Sequence, residues 1–150
     1  MRPARWIAAG FGTGFAPIAA GTVGSAAAAL VGAALLWWSP LALAAAALLA
    51  TVSGFWAVRL ARVEDDPGWV VIDEFAGQWI GMLGLATVTP IGVAASFVLF
   101  RFFDVTKLGP IGWADRRHGA FGVMADDVIA GVVTAVILWG VHWWLPWMVR

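Results

Sequence analysis

Three long stretches of this sequence contain no charged residue, and they restrict what the chain can fold into. Residues 7–58, 75–100 and 128–149 lack Asp, Glu, Lys and Arg, and charged residues make up only 12% of the whole sequence. A soluble surface would need charged side chains scattered along such stretches, because about 25% of the residues in an ordinary soluble domain are charged. The sequence therefore predicts an integral membrane protein of one domain, and the alternative is a small, unusually apolar soluble helical bundle.

The composition removes several kinds of site from consideration. The sequence has no cysteine, so disulfides, Cys-based zinc sites and thiol nucleophiles are not available. Its formal net charge of zero gives no support for nucleic-acid binding. The basic residues of 1–5 resemble the start of a signal peptide, but Gly and Pro interrupt residues 10–21, so we expect no cleavable signal.

Apolar runs that end at turn residues predict five helices. The pairs Ser39–Pro40 and Thr89–Pro90 should end the first and third helices, because proline does not continue a helix. Residues 1–22 are expected to form a basic entry segment with a short helix near Trp6, and residues 109–122 are expected to form a polar loop. The predicted helices cover residues 26–38, 41–62, 75–87, 91–105 and 128–145.

Two acidic pairs stand where two of these helices should begin. Asp73 and Glu74 precede the third helix, and Asp126 and Asp127 precede the fifth. The helix dipole stabilises negative charge at a helix N-terminus, so both pairs are also compatible with a purely structural role. In the first helix, the expected N-cap is Thr22 or Ser25.

Five crossings would place most of the charge on one side of the membrane. The entry segment and the loops at 59–73 and 104–127 share that side, and eight of the nine Lys and Arg residues lie there. By the positive-inside rule this side is cytoplasmic, and Trp side chains would form a belt at the opposite interface. We therefore predict an all-α, polytopic membrane helical bundle of about five short transmembrane helices, with its site on the cytoplasmic face. The belt residues are Trp37, Trp38, Trp143, Trp144 and Trp147.

A charged stripe ends the fourth predicted helix. Arg101, Asp104 and Lys107 are spaced three apart, so they fall on one side of that helix. In the predicted topology they share a membrane face with the two acidic pairs and with the Gly-rich segment 10–25. Mg²⁺ prefers hard oxygen ligands and often keeps substrate phosphate in its shell, while basic side chains and a helix N-terminus bind phosphate oxygens. The pattern therefore indicates a site for a divalent metal and a phosphate.

Each of these residues also has a structural interpretation. Arg101 and Asp104 are spaced to form an ordinary ion pair, and Thr13 and Thr22 are typical turn or cap residues. His118 lies in a Gly-rich loop and is as compatible with ordinary surface as with function. Their joint placement on one membrane face favours the site over these separate explanations.

Several motifs carry a resemblance that covers nearly the whole chain. They are GTGFAP at 12–17, GTVGS at 21–25, DP at 66–67 with VIDEFAG at 71–77, FRFFDVTK at 100–107 with PI at 110–111, and HG at 118–119 with GVMADDVIAG at 122–131. In order and spacing they resemble the phosphatidylglycerophosphatase A family. The sequence departs from the family pattern at Ala20 and Leu108, where proline is usual, and at Ala120, where glycine is usual. These departures concern loop geometry rather than the charged groups.

The resemblance implies a Mg²⁺-dependent membrane phosphatase that converts phosphatidylglycerophosphate to phosphatidylglycerol. It implies a phospholipid substrate and a bacterial inner-membrane location, and it leaves a homodimer open. One or two Mg²⁺ ions would be held by carboxylates, directly or through water, and phosphate by basic and polar side chains. The candidate metal and catalytic residues are Asp73, Glu74, Asp104, Asp126 and Asp127, and the candidate phosphate-binding residues are Arg101, Lys107, Thr13, Thr22, Ser25 and His118.

Two mechanisms and two other functions remain open from the sequence. The attacking group is either a metal-activated water or a carboxylate that forms a covalent intermediate. The chain is alternatively a phosphatase of the same family for another lipid phosphate, or a small transporter or ion-binding membrane protein. Against transport, the predicted topology has no charged residue in mid-span, where transport pathways usually place some.

Overall fold

The structure, a computed structural model, describes residues 3–63 and 67–144, and within these ranges every regular element is a helix. Expectations for residues 1–2, 64–66 and 145–150, among them the belt residue Trp147, lie outside the described residues. A 3₁₀ segment at Gly10–Phe15 follows the first helix. The α-helices are α1 (Pro3–Ala8), α2 (Ala20–Trp38), α3 (Pro40–Leu60), α4 (Ile72–Met82), α5 (Pro90–Thr106), α6 (Pro110–Asp115) and α7 (Gly119–Trp144).

All five predicted helices are present as α2, α3, α4, α5 and α7, but three of their ends were predicted wrongly. Helix α2 begins at Ala20, six residues earlier than expected, and no side chain caps it; Ala19 precedes it in the left-handed region with a φ of 49°. Thr22 and Ser25 therefore lie inside the helix and are not its N-cap. Tertiary packing overrides the weak helix propensity of the glycines here, since Gly24 packs directly against Val71.

The segment predicted as a polar loop at 109–122 is largely helical. It contains α6 and the first turn of α7, which begins at Gly119 instead of near residue 128. Gly122 looks like a loop residue in the sequence, but the helix requires it, because a Cβ atom there would overlap the backbone of Arg117. Helix α4 ends at Met82, earlier than the predicted residue 87.

Three of the described helices are long and apolar enough to cross a membrane, namely α2, α3 and α7. Helices α4 and α5 have 11 and 17 residues. At about 1.5 Å per residue they measure roughly 16 Å and 25 Å, less than a bilayer core of about 30 Å. The structure thus supports a helical membrane protein, and the count of five crossings stays a prediction.

Large apolar side chains cover the outer faces of the long helices. Leu30 on α2 and Leu41 on α3 are 73% and 81% exposed, and Trp37, Trp38, Trp143 and Trp144 are all exposed near the ends of α2 and α7. Apolar exposure on this scale marks a surface that contacts lipid or another apolar partner. It agrees with membrane insertion, and the Trp positions suit an interfacial belt.

Glycines on α4 and α7 let the two helices approach at backbone distance. A Cβ atom on Gly131 would lie 3.0 Å from Gly77 Cα, and one on Gly81 would lie 3.0 Å from Thr134 Cγ2. The contacts advance in the same direction along both helices, so α4 and α7 run parallel. Small residues permit this close packing of membrane helices. The N-terminal part of α4 is consequently held beside the early turns of α7.

Helix α5 returns antiparallel to α4 after a short turn. Thr89 caps α5 by accepting a hydrogen bond from Gly92 N at 3.0 Å, and Pro90 occupies its first turn, where proline is favoured. Within the bundle, Gln78 Nε2 of α4 donates to Ser96 Oγ of α5 at 3.0 Å. The C-terminal end of α5 therefore meets the N-terminal end of α4.

Candidate active site

Five carboxyl groups from three helices gather at one end of the bundle. Asp73 and Glu74 lie in the first turn of α4, Asp104 lies near the end of α5, and Asp126 and Asp127 belong to α7. The four aspartates are buried, and the Glu74 side chain is 12% exposed. A cluster of buried carboxylates is costly unless cations or hydrogen bonds compensate for it, so its surroundings need explanation.

Asp127 is shared by two groups of potential metal ligands. One group combines it with Asp73 and Glu74, and the other combines it with Asp104 and Asp126. In each group one oxygen per residue lies within 4.8 Å of the others. The site thus has two adjoining sets of three carboxylates, and Asp127, which belongs to both, is 2% exposed.

Arg101 connects this cluster to α2. Its guanidinium forms an ion pair with Asp104 one turn away on α5, and its Nη1 atom lies 3.7 Å from Glu74 Oε1. The same Nη1 donates a hydrogen bond to Ser25 Oγ at 3.3 Å, and Ser25 in turn donates to Gly21 O at 2.8 Å. One cation therefore joins α2, α4 and α5 at the site.

Lys107 closes the cluster on the opposite side. It ends α5 with a left-handed φ of 50°, and its Nζ lies 3.0 Å from Asp104 Oδ1 and also contacts Asp126. Asp115 lies at the edge, with Oδ1 3.6 Å from the same nitrogen. Burial acts to lower the pKa of Lys107, but Asp127, Asp104 and Asp126 outweigh it and raise the pKa above the usual lysine value. The side chain therefore remains an ammonium at neutral pH.

The residues fit a divalent cation. The ion pairs described for this cluster involve two cations, Arg101 and Lys107, so five ionised carboxyl groups would carry more negative charge than these two side chains balance. Glu74 Oε2 and Asp126 Oδ1 are buried without a hydrogen-bond partner among the described residues. Hard oxygen donors in this number suit Mg²⁺ or Ca²⁺. Each of the two carboxylate groups offers such a donor set.

The predicted phosphate-binding residues are distributed unevenly around this cluster. Arg101, Lys107 and Ser25 belong to it, as described above. Thr13 Oγ1 donates to Gly10 O at 2.9 Å within its own 3₁₀ segment. Thr22 is exposed on the first turn of α2, and His118 is exposed just before α7. Contact of Thr13, Thr22 and His118 with phosphate remains a prediction.

The Gly-rich segment packs against protein instead of forming an open cradle. A Cβ atom at Gly14 would overlap the carbonyl of Trp69, and one at Gly10 would lie 2.8 Å from Val71 Cγ2. Val71 N also donates to Ala8 O at 2.9 Å. These contacts hold the segment that leads into α4. By contrast, Gly21 does border the site, because a Cβ there would overlap Glu74 Oε1.

Sequence reasoning misplaced one acidic pair and missed the glycines that support both pairs. Asp126 and Asp127 do not start α7, which begins at Gly119, so they lie two turns inside a helix long enough to span the membrane. The prediction that these two aspartates begin the fifth helix is therefore wrong, and the prediction that no charged residue lies in mid-span is not tested. The spacing in the sequence could have revealed these glycines. Gly77 follows Asp73 by four residues and Gly131 follows Asp127 by four, so each glycine lies on the same helix face as its carboxylate.

Comparisons with known proteins found relatives that match nearly the whole chain. The family profile described as Phosphatidylglycerophosphatase A matches residues 6–142. A protein of Escherichia coli (strain K12) with that name is 40% identical over 148 residues, covering 94% of this chain and 86% of that protein. Another of that name, from Haemophilus influenzae, is 30% identical over 152 residues, covering 97% and 92%.

A relative with a different name covers a similar share of the chain. The Bacteroides thetaiotaomicron protein named "Putative phosphatidylinositol-3-phosphatase" is 36% identical over 148 residues, covering 91% of this chain and 92% of that protein. No solved structure matches the chain.

Proposed function

This chain belongs to the phosphatidylglycerophosphatase A family, and we propose that it removes the terminal phosphate of phosphatidylglycerophosphate in a Mg²⁺-dependent reaction, yielding phosphatidylglycerol. The observation that carries the proposal is the pair of carboxylate groups that share Asp127, bordered by Arg101 and Lys107. Excess carboxylate beside fixed cations suits a phosphate ester whose charge is balanced jointly by side chains and metal.

Asp73, Glu74, Asp104, Asp126 and Asp127 are the residues that would hold Mg²⁺, directly or through water. The chemistry that bound Mg²⁺ supplies in such sites is polarisation of the phosphoryl group and activation of water. Burial of these carboxylates excludes bulk water, which strengthens the electrostatic interactions with a developing negative charge.

Arg101 is placed to bind the phosphate and to position it. Its guanidinium already contacts Ser25 and borders Gly21, so a phosphate at this point would also meet the first turn of α2. The first backbone N–H groups of a helix have no partner within the helix and bind anions. On the opposite side of the cluster, the Lys107 ammonium would contribute positive charge and restrain the Asp104 and Asp126 side chains through its ion pairs.

The attacking group is either a water molecule or one of the five carboxylates. Asp127 is central to both carboxylate groups, so it is the strongest candidate if a covalent intermediate forms. The stereochemistry at phosphorus distinguishes the two routes, and it is followed with a substrate whose terminal thiophosphate is made chiral with ¹⁸O and hydrolysed in ¹⁷O-labelled water. Direct attack by water is one in-line displacement and inverts the configuration, whereas a covalent carboxylate intermediate requires two displacements and retains it.

The arrangement of charged and apolar residues supports a lipid substrate and a cytoplasmic site. The charged cluster lies at one end of an apolar bundle, where a lipid headgroup would reach it while the acyl chains stay in the bilayer. We propose a bacterial inner-membrane location with the cluster on the cytoplasmic side, because eight of the nine Lys and Arg residues fall on that side in the five-crossing topology.

Phosphate release by the purified protein in detergent tests the function. We expect release from phosphatidylglycerophosphate that needs added Mg²⁺ and that falls at least about 10²-fold in Asp104→Asn and Asp127→Asn. Asp115→Asn is the matched control, because this exposed carboxylate lies outside both metal-ligand groups and should retain activity. Full turnover in both Asn variants would show that the site is assigned wrongly.

Two other functions are separated by the same assay. The name of the Bacteroides relative makes phosphatidylinositol 3-phosphate the comparison substrate, and a higher kcat/KM for it than for phosphatidylglycerophosphate would replace the proposed substrate. The position of Asp126 and Asp127 inside α7 keeps a transporter in consideration. Metal-dependent phosphate release in detergent, where no membrane separates two compartments, favours the enzyme.

A further inference from the structure

An apolar groove runs between α2 and α5 on the outer surface of the bundle. Its volume is about 510 Å³. Helix α2 contributes three alanines and Leu30 to one wall, and α5 contributes Val93, Ala94 and Phe97 to the other, with the turn before Pro90 at the far end. The alanines of the α2 wall are Ala26, Ala29 and Ala33.

The two walls lead directly to the polar end of the site. The α5 wall is one face of that helix, formed by residues at helical spacing: Pro90, Val93, Ala94 and Phe97. Arg101 continues the same spacing, so it lies on this face, one turn after Phe97. On α2, Ala29 and Ala33 follow Ser25 at intervals of four.

Arg101 and Ser25 are hydrogen-bonded to each other at 3.3 Å, so a polar contact joins the two walls at one end of the groove. The residues placed to bind phosphate therefore lie about one helical turn beyond the groove residues Ala29 and Phe97. A ligand with a phosphate at one end and an apolar chain at the other matches a cationic residue followed by an apolar groove.

The distance along α5 from the far end of the groove to Arg101 matches one leaflet of a bilayer. Arg101 and Pro90 are separated by eleven helical steps, or about 16 Å along α5. Half of a bilayer core of about 30 Å is about 15 Å. A lipid whose phosphate lies at Arg101 would thus find apolar wall along the depth that its acyl chain occupies.

We propose that the α2–α5 groove binds one acyl chain of the lipid substrate and so fixes the headgroup at Arg101. This inference rests on the proposed function, because it takes the occupant to be the substrate's own chain. The position of Arg101 one helical turn beyond the groove, on the same face of α5, argues for a phosphate-bearing lipid over a purely apolar partner such as a second copy of this chain.

The experiment compares groove-filling variants on long-chain and short-chain substrates. Ala94→Phe fills the groove from an exposed position on α5, and Ala33→Phe fills it from α2. Ala34→Phe is the matched control, because Ala34 is the next residue on α2, is exposed and does not line the groove. Val52→Phe fills a separate groove of about 400 Å³ between α3 and α7.

We expect both groove variants to raise KM for a dipalmitoyl substrate about tenfold or more and to leave kcat/KM for the dibutyryl analogue within about twofold of wild type. Ala34→Phe and Val52→Phe should leave the preference for chain length unchanged. An equal loss on both substrates, or the same shift in chain-length preference in Val52→Phe, would overturn the proposal. Thermal unfolding in detergent identifies a variant that has lost its fold, and Ala33→Phe and Ala94→Phe serve as independent tests.

A different experimental result is expected if the proposed function itself is wrong. If wild type releases phosphate from neither substrate, the function is wrong, and the groove is then judged by binding alone. A dipalmitoyl lipid phosphate should raise the unfolding temperature of wild type and of Ala34→Phe but not of Ala94→Phe. Equal stabilisation of all three would reject the groove as the acyl site. If dimer formation is lost in Ala94→Phe while lipid stabilisation is kept, a second copy replaces the lipid as occupant.

Discussion

Gly131 lies against the backbone of Gly77, so close that a Cβ atom on Gly131 would come within 3.0 Å of Gly77 Cα. Each glycine stands four residues after a carboxylate of the site, Asp73 on α4 and Asp127 on α7. Because the two helices run parallel, this one contact sets the distance between the two carboxylates. The metal-ligand group formed by Asp73, Glu74 and Asp127 therefore depends on the absence of two side chains.

Gly131→Ala should separate α4 from α7 and weaken both the fold and the site. Forcing extra atoms into a packed interface typically costs about 1–3 kcal/mol, and the shift also moves Asp127 away from Asp73. We expect a lower unfolding temperature and reduced phosphate release. Gly140→Ala on the same helix is the control, since a Cβ there meets no heavy atom within 4 Å. It should be neutral or slightly stabilising, and equal damage by both changes would contradict the packing argument.

Arg101 should be replaceable by lysine only in part. Its contacts with Glu74, Asp104 and Ser25 are all made by Nη1, so other guanidinium N–H groups remain for bidentate binding of phosphate, which a lysine ammonium does not provide. We expect kcat/KM to fall about 10²- to 10³-fold in Arg101→Gln and to recover partially in Arg101→Lys. Steady-state kinetics at saturating Mg²⁺ measure this, with unfolding temperatures to account for stability. Undiminished turnover in Arg101→Gln would remove this residue from phosphate binding.

Lys107→Met should destabilise the protein more in a chelator than in Mg²⁺. The ammonium neutralises Asp104 and Asp126, so without it a bound divalent cation becomes the principal compensation for their charge. A ligand at about 100 times its Kd stabilises the folded state by about 2.7 kcal/mol. The measurement is the unfolding temperature in EDTA and in excess Mg²⁺ for wild type and variant. An identical loss under both conditions would mean that metal and Lys107 do not act on the same carboxylates.

The hydrogen bond between Gln78 and Ser96 should couple α4 to α5 inside the bundle. Ser96→Ala leaves the buried Gln78 amide without this partner, so we expect it to destabilise the protein by about 1–2 kcal/mol. In the double variant with Gln78→Leu part of this loss should be recovered, giving a coupling energy of about 0.5–1.5 kcal/mol. Ser53→Ala is the control, because its hydroxyl donates only to Leu49 O within α3. Simple additivity of the two changes would argue against the coupling.

Much of the site was predictable because its residues carry local signals. The spacing of Arg101, Asp104 and Lys107 placed them on one face of α5, and the structure joins them in ion pairs. The acidic pair of Asp73 and Glu74 was expected at a helix start and lies in the first turn of α4. In contrast, α7 was predicted to begin too late, because Gly119 and Gly122 look like loop residues until the packing around Arg117 is known.

By itself, the sequence determined that this is a helical membrane protein whose charges are confined to a few short segments, since long charge-free stretches leave few other folds. Its motifs also determined the family. Only the tertiary structure decided that those carboxylates form two groups sharing Asp127, that α4 and α7 run parallel through Gly77 and Gly131, and that an apolar groove lies between α2 and α5. The physical reason is that periodicity reports the face on which a residue lies, whereas the partner of that face depends on how closely two backbones can approach.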